Sequence, residues 1–547
     1  MADKKPKGAK RAPALRAERN LQNVRQWLGF GYCAAMLALF PLFFSPNTYY
    51  TITTDKFAFF RACSLLFLAL LLIGLGQAAM DGWRPALSIK GVWRGSSITQ
   101  KLAALLALLW VLATVLSPLT LSEEVQGMIS GNAWTGTLDR FNGLQTQLLY
   151  VLAFFLVLWC GFKHPRWILY GLAAVMVALS AVGIAQAWGY DPLGMYIDAN
   201  RAVYTSFYST IGNSNFVSGM LCLGVPVCAA AFVLATDKSR WLFLAAAVAG
   251  FYLLLAIQVD SGLVGMAACL LVLPLLCCNT PKRLSLGFWL LGALCCAALL
   301  WRVATPTGGP GGYFSVKIGF GKTALLFAVA AVLSFLLAAL LQLRAGKINW
   351  TKKGMTRTLA VLLAAVLLTA AVAFCAVPLT PGAGFLYQGQ QALLHGNWDD
   401  HFGSNRIFIW KRTPALVLDN PLLGTGAASF KGAFQEKYLE EVKAFSGNGS
   451  QVIVYDSAHN IYLDYAVECG LLGLACYLGV IVTLLARALR HKEEEPLLPI
   501  LSCAILVYCA QGVFSFVNVV AAPVMWVMLG MLESLARQAE RKALEAK

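Results

Sequence analysis

Apolar runs of about 17 to 23 residues recur along the whole chain, and each is long enough to cross a membrane as a helix. Hydrophobic residues make up 59% of the 547 residues and charged residues only 13%, whereas soluble chains carry about a quarter charged residues. The runs are solidly apolar, as at 102–115 and 325–341, which excludes a membrane barrel with alternating strands. We therefore predict an all-α integral membrane protein with about 14 transmembrane helices and one large extracytoplasmic loop that contains short helices.

The apolar runs set the expected domain organisation. The predicted spans cover residues 28–44, 57–77, 102–118, 145–161, 167–187, 216–235, 241–258, 262–277, 284–301, 322–343, 359–378, 460–486, 498–516 and 521–536. They divide the chain into a cytoplasmic basic tail at 1–27, membrane helices 1–11 at 28–378, a large extracytoplasmic loop at 379–458, membrane helices 12–14 at 459–536 and a cytoplasmic tail at 537–547. We expect the first tail to be disordered and the run after it to be an uncleaved anchor, because no small-residue cleavage site follows.

The large loop is predicted to contain two short helices, at 406–418 and 429–442. Phe430, Phe434 and Tyr438 fall on one face of the second helix at helical spacing. An amphipathic helix of this kind is suited to lying on the membrane surface.

The basic residues predict the orientation. With both termini in the cytoplasm, the cytoplasmic segments hold roughly 30 of the 43 lysines and arginines, although the longest loop lies outside. Shifting the register by one helix removes this asymmetry. The pattern therefore predicts a multi-pass membrane protein with cytoplasmic N- and C-termini.

Several classes of partner and cofactor are disfavoured by the sequence. The net charge of +17 is divided among short alternating segments, a pattern typical of membrane topology and not of a nucleic-acid partner. The 15 cysteines lie in or beside apolar runs, where cysteine is a common small buried residue. They have no metal-ligand spacing with histidines, and the cytoplasmic loops lack a phosphate-binding glycine loop. We expect no metal and no cofactor.

His459 is the histidine best placed for chemistry, because it opens a membrane helix at the predicted outer surface. Asp456 or Ser457 is expected to cap that helix. The partial positive charge at the helix N-terminus disfavours imidazolium, so we expect His459 to be neutral near pH 7. A neutral imidazole there can act as a general base. The residues alone allow a capping or interfacial histidine equally well.

Arginines in the predicted outer segments form a second group of candidates. They are Arg140, Arg201, Arg302, Arg406 and Arg412. The guanidinium fork matches phosphate oxygens and stays charged near lipid. Taken one at a time, each of these arginines is better explained by snorkelling or by a salt bridge within a loop than by phosphate binding.

Two motifs in the C-terminal half resemble a known family. Residues 456–477 read Asp-Ser-Ala-His-Asn-Ile-Tyr-Leu-Asp-Tyr-Ala-Val-Glu-Cys-Gly-Leu-Leu-Gly-Leu-Ala-Cys-Tyr. This stretch resembles the His-Asn-x-Tyr-Leu…Glu-x-Gly-x-x-Gly-Leu signature of the O-antigen ligase and O-antigen polymerase superfamily of membrane glycan transferases. Upstream, Arg-Ile-Phe-Ile-Trp at 406–410, Asn-Pro-Leu-Leu-Gly-Thr-Gly at 420–426 and Phe430 resemble its Arg-x-x-x-Trp…Pro-Leu-x-Gly-x-Gly…Phe block.

Weaker matches extend the resemblance to about residues 130 to 490. Arg-Phe-Asn-Gly-Leu at 140–144 resembles an early Arg-x-x-Gly element, and Gly-Asn-Ser-Asn-Phe at 212–216 resembles a Gly-Asn-Pro-Asn-Tyr/Phe element. One departure stands at 258–263, where Gln-Val-Asp-Ser-Gly-Leu lacks the arginine of the family's Ser/Thr-Arg-Gly element.

The resemblance implies transfer of a glycan from a polyprenyl-diphosphate, such as undecaprenyl diphosphate, to an acceptor hydroxyl at the outer face of a bacterial cytoplasmic membrane. The acceptor would be a glycan, a lipid or a protein, and the ligase and polymerase interpretations both stay open. By resemblance, Arg406, Arg140 and Arg201 bind the donor diphosphate and His459 is the base. The lipid diphosphate is already a good leaving group, so no nucleotide is required. No metal is implied, because no cluster of outer carboxylates and histidines has convincing ligand spacing.

The alternative is a non-enzymatic flippase or transporter for an envelope glycan lipid. Such a protein needs ionisable residues deep in several helices that face a pathway. Asp464 and Glu468 are the main deep charges that the sequence shows. Their helical angle predicts that they point away from His459 and act as structural partners inside the bundle.

Overall fold

A computed structural model describes residues 11–83, 97–120, 131–137, 140–196, 206–307, 315–347, 351–381, 385–446 and 453–545, and these are almost entirely helical. The helices are α1 (Arg11–Ala34), α2 (Ile52–Met80), α3 (Ile98–Leu116), α4 (Leu144–Cys160), α5 (Pro165–Ala187), α6 (Ser214–Leu234), α7 (Arg240–Ile257), α8 (Asp260–Cys277), α9 (Pro281–Val303), α10 (Lys322–Arg344), α11 (Lys352–Ala376), α12 (Phe385–His395), α13 (Phe402–Asp419), α14 (Phe430–Ser446), α15 (Ile461–Arg490), α16 (Leu497–Gln511) and α17 (Ala521–Glu545). Antiparallel strand pairs join β1 (Gly131–Asn132) to β2 (Gly136–Thr137), β3 (Phe207–Tyr208) to β4 (Gly212–Asn213) and β5 (Ala304–Thr307) to β6 (Ser315–Ile318).

Helices suited to crossing a membrane make up most of the described chain. Eleven of them, namely α2, α3, α5–α11, α15 and α16, are long and apolar enough to span a bilayer, and α4 is a shorter apolar helix. Every predicted span after the first coincides with one of the described helices, the last with α17. The first span, 28–44, covers the end of α1, a π-helix at Ala35–Leu39 and a short α-helix at Phe40–Leu42. The helical membrane fold is confirmed, and a total of fourteen crossings stays a prediction.

The part of the predicted disordered tail that the structure describes, from Arg11 onward, is helical. Within the part of the chain that the structure describes, α1 begins at Arg11 and runs without a break into the first apolar segment. The polar stretch from Arg11 to Gln26 is rich in Ala, Arg, Leu and Gln, which are strong helix formers, so the helix begins well before the apolar segment. At the other end, α17 likewise continues to Glu545, into the predicted C-terminal tail.

The core of the bundle lies around α6, α16 and α17. The most apolar window of α6 is 94% buried, whereas that of α11 is only 6% buried, so α6 is central and α11 lies at the rim. Small residues bring the central helices together: a Cβ at Gly530 of α17 would meet the Phe154 carbonyl oxygen of α4 at 2.8 Å. Close backbone approach through glycine is typical of helix packing in membranes.

A buried lysine, not predicted from the sequence, binds the end of the short helix Phe40–Leu42 that follows α1. Lys56 of α2 is fully buried, and its Nζ donates to the carbonyl oxygens of Phe40 at 2.7 Å and Pro41 at 2.9 Å. The chain leaves the helical conformation just after these residues, and helix ends leave carbonyls without partners. Lys56 supplies the missing donors.

The segment Asn-Pro-Leu-Leu-Gly-Thr-Gly at 420–426 is docked into a break in α15. At the break, Gly470 adopts φ +69°. The amide of Leu471 donates to the Pro421 carbonyl at 2.8 Å, and the amide of Thr425 donates to the Val467 carbonyl at 2.8 Å. The loop backbone therefore supplies partners that the interrupted helix lacks, which fixes the extramembrane helices against α15.

The aromatic face of α14 packs inside the protein and does not lie on a membrane surface. Phe430 and Phe434 are at most 1% exposed, and their rings stack at 5.6 Å. Phe434 also contacts Tyr438 and Tyr455. Helical spacing identified the apolar face correctly, but the partner is this second core between α13, α14 and α15.

Candidate active site

His459 lies in a tight turn immediately before α15. Its φ of +50° is left-handed, which is uncommon for a residue other than glycine and is frequent at functional sites. The helix is capped by Asn460, whose Oδ1 accepts the amides of Tyr462 at 2.9 Å and Leu463 at 3.1 Å. The expected cap, Asp456 or Ser457, is wrong: Ser457 Oγ instead accepts the His459 amide at 3.3 Å.

Asp464 holds this turn from inside α15. Its Oδ1 accepts the Ala458 amide at 2.6 Å, next to His459, and the carboxylate is 7% exposed. Asp464 and Glu468 line a small cavity of about 20 Å³ together with Arg140 and Asp456. The prediction that both carboxylates point away from the site is therefore wrong, because the chain folds back before α15 and brings the turn onto their face.

Arg140 is placed by a compact turn that precedes α4. The Arg140 amide donates to the Thr137 carbonyl at 3.2 Å, and Asn142 Oδ1 accepts the Thr137 amide at 3.2 Å. A Cβ at Gly143 would meet the Gly136 nitrogen at 2.3 Å, so only glycine allows this close approach of the two backbones. The Arg-x-x-Gly element thus encodes the turn that presents the arginine.

The Arg140 guanidinium has two partners. It forms an ion pair with Asp456, in which the side chains are 20% and 32% exposed. Its Cζ also lies 4.1 Å from the centre of the Phe516 ring, a distance suited to a cation–π contact. A ligand anion that binds Arg140 must therefore compete with Asp456 or join it.

Arg406 is held at the start of α13 by a run of left-handed residues. Gly403, Ser404 and Asn405 have φ between +58° and +67°. Arg406 Nη1 donates to the Gly403 carbonyl at 2.6 Å and Nη2 to the Phe514 carbonyl at 3.2 Å. Its Nε is buried and has no hydrogen-bond partner among the described residues. Since guanidinium has five N–H donors, Arg406 keeps donors for a further acceptor.

The segment 514–516 is the point at which these groups meet. Besides accepting from Arg406, Phe514 packs against Trp410 with ring centres 5.7 Å apart. The Phe516 ring lies under Arg140 and 5.4 Å from the His459 ring. Phe216, from the Gly-Asn-Ser-Asn-Phe motif, supports the Phe516 ring at 5.9 Å. Residues of all four sequence motifs therefore meet around segment 514–516.

Burial and positive charge keep His459 neutral. Burial is the largest cause, followed by the charges of Arg406 and Arg140, and together they lower the pKa of His459 to about 4 even though Asp456 opposes them. The helix terminus was expected to lower this pKa, whereas its largest causes are desolvation and the charges of the two arginines. Burial also lowers the pKa of Arg406, while the charge of Asp260 opposes this effect.

The remaining outer arginines have structural partners or lie elsewhere. Arg412 pairs with Glu441 at 2.7 Å and stacks on Phe408 at 3.7 Å. Arg302 Nε donates to Thr323 Oγ1 at 2.7 Å. Arg201, a predicted diphosphate-binding residue, lies outside the described residues. Of the predicted site residues, the structure therefore brings together Arg140, Arg406 and His459.

Several residues of the site were not predicted from the sequence. Phe514 and Phe516 were assigned to the end of a membrane span, and Asp456 was considered only as a cap. A weak signal was present, because Gly-Val-Phe-Ser-Phe at 512–516 contains a glycine and a serine where a continuous span needs neither.

The fold and this polar cluster define a polytopic integral membrane protein with a candidate active site where extramembrane helices meet the ends of its membrane helices. The model of the O-antigen ligase family matches residues 313–478, a segment that contains Arg406 and His459. The match confirms the resemblance to the O-antigen ligase superfamily and indicates glycan transfer of the ligase or polymerase type. No curated protein matches the chain.

Proposed function

We propose that this protein transfers a glycan from a polyprenyl-diphosphate donor to an acceptor hydroxyl at the outer face of the cytoplasmic membrane. The observation that carries this proposal is the convergence of Arg140, Arg406 and a neutral His459 on segment 514–516. Glycan transfer from a lipid diphosphate needs cations for the leaving group and a base for the nucleophile. The cluster offers both around one short segment of the chain.

In this mechanism Arg406 and Arg140 bind the diphosphate. Arg406 has the spare donors. Arg140 either leaves its ion pair with Asp456 to bind a phosphate oxygen, or binds Asp456 and the phosphate at the same time. As the bond between the anomeric carbon and the phosphate oxygen breaks, negative charge grows on the leaving diphosphate. Fixed guanidinium groups stabilise that charge most where water is excluded.

His459 takes the proton of the acceptor hydroxyl as oxygen attacks the anomeric carbon. A pKa of about 4 keeps the imidazole unprotonated in the free protein but makes it a weak base. The donor diphosphate adds negative charge beside both arginines, which opposes their effect on His459 and raises its pKa. The base therefore becomes stronger when the donor is bound.

Asp464 acts as a positioning residue in this mechanism. Its hydrogen bond to the Ala458 amide fixes the left-handed turn that directs the imidazole. Ligase and polymerase activities would use the same constellation, because they differ only in the molecule that carries the acceptor hydroxyl.

The experiment is a transfer assay with purified protein, a lipid-linked glycan and candidate acceptors, without nucleotide or added metal. We expect glycan to leave the lipid and appear on an acceptor, with release of polyprenyl diphosphate. A donor that is moved across a proteoliposome membrane and stays chemically intact would instead identify a flippase or transporter.

A further inference from the structure

An apolar slot of about 510 Å³ lies between α8, α9, α10 and α11, away from the polar cluster. All the residues that line it are apolar residues, glycine, proline or cysteine, among them Leu270, Leu291, Phe327 and Leu363. Helices in a membrane normally pack side chain against side chain, so a gap of this size inside the hydrocarbon layer is filled by something apolar.

The slot has the dimensions of a lipid chain. Along α9 it extends from Leu284 to Ala298, which at 1.5 Å per residue is roughly 20 Å. This length covers most of the hydrocarbon thickness of about 30 Å. One wall is α11, the helix that is least buried in the protein, so the slot adjoins bilayer lipid.

A positive arc lies at one end of the slot. Cys278 and Leu284 line that end, and Asn279 beside them accepts from Arg283 at 2.8 Å and donates to Glu493 at 2.9 Å. Glu493 also pairs with Lys352 at 2.5 Å. Arg283, Lys352 and Lys492 surround this single carboxylate, so the arc keeps a net positive charge.

We propose that the slot binds one acyl chain of an anionic glycerophospholipid, whose phosphate lies against Arg283 and Lys352. Basic pockets between membrane helices recognise anionic headgroups, and the apolar slot directly beside the arc accommodates the chain. The proposal does not depend on the proposed function, since the slot shares no lining residue with the site around His459.

The geometry separates this lipid from the glycan donor. Helix α8 begins at Asp260, whose charge acts on Arg406, and ends at Cys277 beside the arc. Its 18 residues correspond to about 27 Å. The arc and the polar cluster therefore lie at opposite ends of the bundle, and the bound phospholipid belongs to the leaflet away from the reaction.

The test is native mass spectrometry of the full-length protein, delipidated in detergent and then titrated with phosphatidylglycerol or phosphatidylcholine. We expect the parent to retain one phosphatidylglycerol in preference to phosphatidylcholine. Arg283→Gln with Lys352→Gln should weaken phosphatidylglycerol binding by about five-fold per charge, whereas Lys322→Gln at the opposite end should not. Leu291→Trp, which fills the slot, should weaken both lipids.

Leu300→Trp is the matched control for the slot, since Leu300 is on the same helix, is 55% exposed and does not line the slot. Equal affinity of the parent for the two lipids would overturn the headgroup site. Unchanged phosphatidylglycerol retention in Leu291→Trp would overturn the slot. If Leu291→Trp does not elute as a monodisperse protein, the headgroup variants Arg283→Gln and Lys352→Gln decide whether the lipid binds here.

Discussion

At the scale of single residues, the site is built from side chains whose hydrogen-bonding capacity is only partly used. Arg406 keeps an unpartnered buried Nε among the described residues, whereas Arg412, six residues later, is engaged by Glu441 and Phe408. This difference separates a candidate phosphate ligand from a structural arginine on the same helix. Residue type alone could not make that distinction, because both belong to the same outer segment.

Donor binding is expected to depend on the bidentate geometry of the Arg406 guanidinium and not only on its positive charge. Lysine keeps a positive charge but presents a single ammonium group, so Arg406→Lys and Arg406→Ala should both lose most activity while inserting and folding normally. Transfer rates and membrane-fraction yield measure this. Parent-like activity in Arg406→Lys would contradict bidentate phosphate recognition.

Removing the negative charge of Asp260, which acts on Arg406, should strengthen donor binding, whereas substitutions of Arg406 should weaken it. Its negative charge acts on Arg406 and should repel a diphosphate there. Asp260→Asn is therefore expected to lower KM for the donor with little change in kcat. A higher KM would show that Asp260 supports the site in some way other than through its charge.

The pH dependence should report coupling between the donor and His459. The free protein has a His459 pKa of about 4, so kcat/KM should fall only as pH drops towards 4. Bound diphosphate raises that pKa, and the acid limb of kcat should therefore lie at higher pH than that of kcat/KM. Coincident limbs, or a kcat limb at lower pH, would contradict this coupling.

At the scale of elements, a helix break organises the site. The sequence motifs around Gly424 and Gly470 were taken as family signatures, and the structure gives them a physical role. A Cβ at Gly424 would meet backbone atoms of Val467, Glu468 and Gly470 at 2.5 Å. The two glycines permit the loop and α15 to exchange backbone hydrogen bonds.

The Gly424→Ala variant should lose activity and thermal stability, because the added methyl group meets rigid backbone. Gly396→Ala is the matched control: Gly396 has a similar φ of +69°, but nothing lies within 4 Å of its Cβ position. We expect the control to lose only about 1–2 kcal/mol of stability, from the left-handed conformation. Equal melting temperatures for the two variants would contradict the role of Gly424 in docking segment 420–426 against α15.

The elements also show what the sequence could and could not predict. Long apolar runs located the membrane helices, and helical spacing found the buried face of α14. The turn that brings Asp464 to His459 was not predictable from helical angle, because the angle describes α15 alone and not the chain that folds back over it. The wrong helix cap has the same origin: Asp456 is used by Arg140, a contact distant in sequence.

At the scale of the whole molecule, the described buried charges outside the site are engaged by the protein itself. Lys56 binds helix-end carbonyls. Arg487, 4% exposed, pairs with Glu533 at 3.0 Å and Glu540 at 3.2 Å, which ties α15 to α17. A transport pathway needs ionisable groups that face a cavity, so these contacts favour the transferase interpretation.

The orientation is tested by cysteine labelling in intact cells. Glu440 on α14 is 83% exposed, and Lys353 lies in the first turn of α11 on the predicted cytoplasmic side. In a background without the exposed Cys296 and Cys375, Glu440→Cys should react with an impermeant maleimide. Lys353→Cys should react only after permeabilisation. The reverse pattern would move the site to the cytoplasmic face.

The central claim is that His459 removes the acceptor proton, and the turnover of His459→Gln tests it most directly. Glutamine keeps a hydrogen-bonding side chain but cannot accept the proton. We expect His459→Gln and His459→Ala both to reduce turnover by about 100- to 10,000-fold while donor binding stays close to that of the parent. Parent-like turnover in His459→Gln, with normal expression, would contradict general-base catalysis and leave His459 as a structural residue.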